Sequence, residues 1–574
     1  MNLVRAMCVV SAGSISVGAA NAGVPSDAIE VLFTAPADVA PGPLVLPPSP
    51  LNVSLFAGQP RIASDGTWYA LYRFPLVNSS DPLEFTRDFV MLRDGAPFIR
   101  EGYQLPSDAN IVPVAMQTLS QQPFFDVSVA QDGAVAQVIG GTDVFTTRPD
   151  GSPDPALFDF EDVKFDVLVL DGASILAEGT PLDIVPGVVA PDNGIERFAS
   201  VKAADAETLV VSATLSAGGT FDDETRVIFQ IDDAGLMTQS QTLRFTDAEG
   251  QQVPGHGFEA STFNGSEEDI DANSDGSILI GVDVRGAPFD QDGTIVYYDA
   301  TTDTYSVVAR EGQPSPLPGR NYDSLFNNPL ALNDAGDIAF LGSVNGDSLT
   351  DGILVVNGQV VMQEATTVGT VVEGPLQLGF ANANIEMDAQ GNIIYWGAWN
   401  KPKADVCPDN TDITSTFAIF EGLFFNDELI LEGGVTEVAN VDINGTVFPT
   451  LVVADLPNTG FAGFHVSPDG RWLIVHALLA EPSPDICAFS VNNNATPLAQ
   501  VLLRIDLDRV RAVDCPGDAD GSGDTTTADI TFVVSNLGAG SPGASGTPGD
   551  VDGDGLTTTA DITFVVSNLG ASCG

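Results

Sequence analysis

The chain has 574 residues, three to four times an ordinary domain, so several cores or one large repeat assembly are expected. A hydrophobic content of 44% excludes disorder along most of the length. With 78 acidic residues against 21 basic ones, the formal charge of −57 excludes nucleic acid as a partner and disfavours anionic membrane surfaces, because both present like charge.

Only Lys164, Lys202, Lys401 and Lys403 are lysines, a composition that keeps a protein hydrated in salt and points to a saline habitat. Residues 1–22 read as an export signal. Arg5 precedes a modestly apolar stretch from Ala6 to Ala20, and Ala20-Asn21-Ala22 forms a small-x-small cleavage site. No later run reaches about 18 apolar residues, so no transmembrane segment is expected. The chain is therefore expected to be secreted, with the medium, the cell surface and the periplasm all open as its home. Cys8 leaves with the signal. Cys407, Cys487, Cys515 and Cys573 remain, an even and sparse set without zinc-ligand spacing, as disulfides in an oxidising compartment would be.

Residues 23–513 carry a recurring two-part pattern. Its first part is an apolar alternation, a tight turn and a second run of β-formers. The turns fall at Asp65-Gly66, Asp132-Gly133, a degenerate Ala204-Asp205-Ala206-Glu207, Asp275-Gly276, Ala335-Gly336, Gln390-Gly391 and Asp469-Gly470. Its second part is another hairpin, with turns near Asp94-Gly95, Asp171-Gly172, Ala234-Gly235, Thr301-Thr302, Asn357-Gly358, Asn426-Asp427 and Leu507-Asp508. Asp-Gly and Asn-Gly between β runs are strong hairpin signals, because type I′ turns need positive φ at both central residues. Seven units of four strands predict a mainly β fold, a seven-bladed β-propeller, with Ile29 to Phe33 adding a strand to the last blade. The units exceed the roughly 40–45 residues of a compact blade, so long loops are expected. A β-solenoid fits the irregular unit length poorly, and paired β-sandwiches fit the unbroken recurrence poorly. Asn333-Asp334-Ala335-Gly336-Asp337-Ile338-Ala339-Phe340 matches the Asn-x-x-Gly-x-x-Ala-Phe motif of a family of bacterial tandem-repeat proteins with interchangeable C-terminal anchors. That resemblance implies propeller-like repeats and no particular activity.

Catalytic chemistry is not evident. The three histidines are His256, His465 and His476; the last two flank the Asp469-Gly470 turn and could face each other across a hairpin, a pair for which a structural role is expected. No G-x-S-x-G elbow, P-loop or H-E-x-x-H is present. Asp271-Ala272-Asn273-Ser274-Asp275-Gly276 spells the start of a calcium loop, but Val282 at position 12 offers no side-chain ligand, and Gly276 is already explained as a blade turn.

The tail, residues 514–574, differs in kind. TTTADITFVVSNLGA occurs from Thr525 to Ala539 and again from Thr557 to Ala571, separated by a Gly/Ser/Pro linker. Each copy follows an acidic loop with calcium-ligand spacing. Asp518, Asp520 and Ser522 take positions 1, 3 and 5 of the first, with Asp524 at 7 and Asp529 at 12; Asp550, Asp552 and Asp554 take 1, 3 and 5 of the second, with the Leu556 carbonyl at 7 and Asp561 at 12. Two calcium ions are the expected cofactors, and Ser522 should weaken the first site. Helices are expected over 527–537 and 559–569, ended by Gly538 and Gly570.

Ligand spacing, helix placement and duplication together resemble the dockerin module, and the Cys573-Gly574 ending resembles the glycine-cysteine type found on exported proteins of planctomycete-like bacteria. The resemblance implies calcium-dependent docking to a cohesin-like or cell-envelope protein, with Thr527, Ala528, Thr559 and Ala560 at the contact. Pairing of Cys515 with Cys573, at the two ends of the duplicated module, and of Cys407 with Cys487, between insertions of blades six and seven, is expected. The leading reading is an exported, non-catalytic propeller that binds an unknown ligand, with carbohydrate among the possible ligands, and is anchored by its tail. The contrasting one is a polysaccharide-degrading enzyme, a glycoside hydrolase or lyase, delivered to a complex by its dockerin.

Overall fold

Alternating apolar residues put side chains on both faces of a strand, and four such strands can bury both faces only if further sheets pack on either side. In the computed structural model seven sheets do so around one axis. It describes residues in the stretches 28–35, 59–73, 89–113, 124–178, 195–246, 256–364, 376–402, 417–483, 498–514, 525–539 and 549–569, with gaps inside them, and residue 519.

Blade 1 runs from the axis outwards as Arg61–Ile62, Trp68–Arg73, Phe89–Arg93 and Ala96–Arg100. Blades 2 to 6 repeat the meander with innermost strands Phe124–Val129, Ile195–Ala203, Ile270–Ala272, Leu330–Leu332 and Ile385–Met387. Blade 7 contributes Phe464–Val466, Trp472–Ala480 and Ala499–Asp506. The innermost strands touch in sequence order around the axis, and that of blade 7 touches that of blade 1, so the ring is closed. Seven apolar clusters fill the seven seams. Tyr69 and Met91 of blade 1 meet Val135 and Val167 of blade 2, and Phe33, Ile474 and Leu502 of blade 7 meet Ile62, Trp68 and Tyr72 of blade 1.

The fourth strand of blade 7 is the N-terminal segment Ile29–Ala35, antiparallel to Ala499–Asp506 from Ile29 opposite Ile505 to Ala35 opposite Gln500. The expected closing strand is therefore present. The hairpin turn expected at Leu507-Asp508 is not: helix α1 (Leu507–Asp514) starts there. Leu507 and Val510 lie one helical turn apart, and both are buried in the seam of blades 6 and 7. With the outer edge already occupied by the N-terminal strand, the chain has no partner for a further hairpin and turns into a helix instead. The expected turns at Ala204–Glu207 and Ala234-Gly235, and the segment 1–22, lie outside the described residues.

The inner turns share one geometry. Gly66, Gly133, Gly276, Gly336, Gly391 and Gly470 all have positive φ, between 76° and 91°, and each N–H donates to the carbonyl three residues back. Asn333 explains the tandem-repeat motif at its one full copy. Its Oδ1 accepts from the N–H groups of Ala335 (3.0 Å) and Asp337 (2.9 Å), and its Nδ2 donates to the Asp388 carbonyl of the next blade at 3.0 Å. Asn273 repeats the bridge from blade 4, donating to the Asn333 carbonyl. Asn333→Ala would strand these buried groups and is expected to cost about 2–3 kcal/mol in urea unfolding. A loss below about 0.5 kcal/mol would show that the bridge is dispensable.

A second recurrence was missed at the level of sequence. Glu101, Glu178, Glu311 and Glu364 follow the outermost strands, and each accepts an N–H from the neighbouring strand, of Phe89, Asp166, Gly293 and Gly352 respectively. Glu-Gly at 101, 178 and 311 was the available signal.

Candidate functional site

The innermost strands share a register, so each blade offers one equivalent residue to the axis. These are Arg61, Ser128, Lys202, Asp271, Ala331, Glu386 and His465, paired with Tyr69, Ala136, Val210, Leu279, Ala339, Ile394 and Ile474 of the adjoining strands. All but Ala331 line a cavity of about 130 Å³ at the mouth of the central channel, with Asn333 and Met387 beside them.

The inner edge of an innermost strand has no further strand to accept its N–H groups, so side chains do this. Ser128 Oγ accepts from the Ala203 N–H (3.0 Å), Asp271 Oδ2 from Leu332 (2.7 Å) and His465 Nδ1 from Ile62 (3.3 Å), each in the following blade. Arg61, a donor, inverts the polarity, and its Nε bonds the Val127 carbonyl of blade 2 at 2.8 Å. Each of these side chains therefore staples two blades while lining the channel.

Because His465 Nδ1 accepts, its proton sits on Nε2. Burial, with Arg61 and Lys202 close by, pushes its pKa well down and keeps the ring neutral. Burial pushes the Asp271 carboxyl up, against the pull of Lys202, two backbone N–H groups and Arg61. The two histidines do not face each other: His465 is opposite Ile474, and His476, two residue pairs along, donates its backbone N–H to the Gly463 carbonyl and is buried within the blade. His256 bonds the Tyr305 carbonyl at 2.8 Å. At the false calcium loop, Asp271, Asn273 and Asp275 all accept backbone N–H groups. Among the described residues no three His, Cys, Asp or Glu side chains cluster as a metal site.

In the tail, helices α2 (Thr527–Ser535) and α3 (Thr559–Asn568) follow the acidic loops and pack on each other. Each begins with a capping box. The Thr526 and Thr558 N–H groups donate to Oδ2 of Asp529 and Asp561 at 2.7 and 2.6 Å. Oδ1 of each reaches back to the loop, accepting from Ala519 (2.7 Å) and Val551 (2.9 Å), the second loop positions. Both position-12 carboxylates are fully buried, and the chain from Ala512 onward contains no Lys or Arg. A buried carboxylate drawn against the start of an acidic loop is a fitting donor for a hard cation. Asp518, Asp520, Ser522, Asp524, Asp550, Asp552 and Asp554 lie outside the described residues, as do Cys407, Cys487, Cys515 and Cys573; Leu556 is described.

Thr527, Ala528, Thr559 and Ala560 are all exposed. Sequence reasoning missed the apolar residues near them. Of the six exposed large hydrophobic residues among those described, four are Val534 (49%), Leu537 (45%), Val566 (50%) and Leu569 (42%), the same pair in both copies. Thr527, Thr531 and Val534 stand at i, i+4 and i+7 on one face.

The model of a family described as a family of unknown function (DUF7453) matches residues 197–411, from the first strand of blade 3 into blade 6 and less than half of the chain. No curated protein matches. Solved structures similar to the chain include a protein of unknown function from Dyadobacter fermentans (12% identity, 70% of this chain and 99% of that one, TM-score 0.30). Others are the α-L-arabinofuranosidase Arb93A of Fusarium graminearum (10%, 70% and 98%, 0.30) and the hydrazine synthase of Kuenenia stuttgartiensis (9%, 68% and 88%, 0.30). At such scores the likeness carries no statement about chemistry.

Proposed function

We propose that the protein is an exported, non-catalytic β-propeller that binds a ligand and is held in place by a calcium-dependent, dockerin-like tail. The duplicated exposed pairs Val534/Leu537 and Val566/Leu569 carry this reading. Such side chains, standing in the open at equivalent positions of two repeats, suit a partner that docks on one helix face in either of two orientations. Thr527 and Ala528, and Thr559 and Ala560, continue that face. The two calcium ions would be held by Asp518, Asp520, Ser522, Asp524 and Asp529, and by Asp550, Asp552, Asp554, the Leu556 carbonyl and Asp561. Each ion would supply the positive charge that nine aspartates without a Lys or Arg lack from residue 512 onward, and so would favour the folded tail. A micromolar site at millimolar calcium would contribute about 4 kcal/mol by mass action. The partner is a cohesin-like or cell-envelope protein. Pairing of Cys515 with Cys573 would pin the module's ends, and Cys407 with Cys487 would join two propeller insertions; non-reducing peptide mapping tests both.

Calorimetric titration of the full chain is expected to show two calcium sites, both lost in the double variant Asp529→Ala/Asp561→Ala. Retention on the envelope fraction of its own cells should require calcium and should be abolished by Val534→Lys/Val566→Lys with calcium binding intact. Absence of calcium binding in the unmodified chain, or undiminished retention of the lysine variant, would overturn the reading.

A further inference from the structure

The two ends of the blades differ. Asp94, Asp171, Asn357 and Asn426 of the outer turns accept the N–H groups of Trp68, Val135, Ile338 and Ile393, the residues that open the second strands, so inner and outer turns share one face of the ring. The chain is brief at that face and long at the other. In blade 1 the turns run only from Ile62 to Trp68 and from Arg93 to Ala96, whereas the connections that leave from the opposite end run from Arg73 to Phe89 and from Arg100 on to blade 2 at Phe124. The cavity at the channel mouth belongs to the turn face, since Ser274, Asn333, Asp334 and Pro468 of the inner turns line it.

Both ends of the propeller chain meet at the turn face. Trp472, just past Gly470 of an inner turn, lies opposite Asp506, whose N–H donates to the Ala28 carbonyl at 3.0 Å. The next N–H, of Leu507, donates to the Arg471 carbonyl at 2.8 Å. Helix α1 starts there, and burial of Leu507 and Val510 in the seam of blades 6 and 7 fixes it. From Asp514 at its end to Asp518, the first position of the first acidic loop, the chain reaches about 14 Å at most. Whatever holds the tail therefore stands beside the turn face.

The opposite face carries ordered loops. Arg320 donates through Nη1 and Nη2 to the Thr350 carbonyl (2.9 Å) and Oγ1 (3.0 Å), and Asn321 and Asn345 exchange two bonds at 3.0 and 2.9 Å, which ties the connection out of blade 4 to one within blade 5. Gln313, Pro314 and Pro318 stand exposed on the rim so formed. Loops fixed on a rigid scaffold are where such a body meets a ligand.

We propose that the protein is held with its turn face, and the channel mouth with it, towards the partner of the tail, and presents the opposite face, with the Gln313–Pro318 rim, to its ligand. The orientation follows from the strand order, and its setting rests on the tail being an anchor, as proposed for it.

Ala335→Cys places a thiol on an exposed inner turn, and Gln313→Cys places one on the opposite rim. Each full-length variant is treated with a maleimide carrying a polyethylene glycol chain, and modification of the new thiol is followed by peptide mapping. On protein retained by the envelope fraction in calcium, Ala335→Cys is expected to react at least tenfold more slowly than in free solution, and Gln313→Cys to change less than twofold. Both are also measured in calcium on protein held to streptavidin through biotin on a residue added after Gly574, where Ala335→Cys should again be slowed, at least threefold more than Gln313→Cys. Ala335→Cys slowed no more than Gln313→Cys in either setting would overturn the proposal. Loss of retention on the envelope with the inequality kept on streptavidin would support the orientation and overturn the anchor alone.

Discussion

Phe33→Ala is expected to cost about 3–5 kcal/mol, among the largest effects of any single truncation, because Phe33 closes the ring. It is 1% exposed, and its ring meets Trp68 and Tyr72 of blade 1 edge-on, at centroid distances of 6.3 and 5.7 Å. The change leaves a cavity at the one seam joined by strands more than 450 residues apart in sequence, Ile29–Ala35 and Ala499–Asp506. Glu30→Ala on the same strand is the control. It removes an exposed ion pair to Arg504 at 2.5 Å, in a setting where such pairs contribute little. Deleting residues 28–35 goes further, baring an eight-residue edge that invites pairing with another chain. Urea unfolding and light scattering check both expectations. A Phe33→Ala protein as stable as the unmodified one would mean that the N-terminal strand is an ornament of the ring.

Stability is expected to rise from about pH 3 to a plateau near pH 7. His476 is 2% exposed, and burial pushes its pKa down to about 3; His465 is depressed likewise. In the unfolded chain both titrate near 6.5. The folded state therefore binds fewer protons below that value, and the stability present above pH 6.5 is lost progressively as pH falls towards 3, at about 1.4 kcal/mol per pH unit for the fully buried His476 ring and at less for His465, which lines the channel. Two carboxyls act in the opposite sense. Burial pushes Glu364 up to about 7, with Asp351 adding to the shift, and Asp283 up to about 6, with Asp292 and Glu311 adding. Their contribution is fully present below the unfolded value near 4 and is lost as pH rises through 6 and 7. Both are partly solvated, so each counts for less than a buried histidine. His476→Gln should flatten the acid limb, and Glu364→Gln, by removing an opposing loss, should steepen it between about pH 4 and 7. An acid limb of unchanged slope in His476→Gln would show that carboxylates alone set the acid limit.

Much of the architecture was legible from local chemistry. A tight turn with positive φ is decided by the few residues that make it, so glycine at six inner turns marked six blades and the alternation around them marked the seventh. The closing strand was legible because Ile29 to Phe33 is an apolar run with nothing of its own to pair with. The tail's two helices were legible for the same reason: the repeated run is a contiguous pattern, and the structure has helices at Thr527–Ser535 and Thr559–Asn568. What failed was whatever depended on the far partner. Leu507-Asp508 looked like another outer turn because its local sequence permits one, yet the edge it would have served was already taken by the other end of the chain. His465 and His476 lie either side of one turn, but strand register, which no single hairpin sequence states, put Ile474 opposite the first. The channel ring was the least visible of all. Its residues differ in type from blade to blade and stand about 55 to 80 positions apart, so they form no motif. Local patterns settled seven units and six of their inner turns; only closure of the ring decided that Arg61, Lys202, Asp271, Glu386 and His465 share one cavity, because a propeller gathers to its axis one residue from each blade, whatever their separation along the chain.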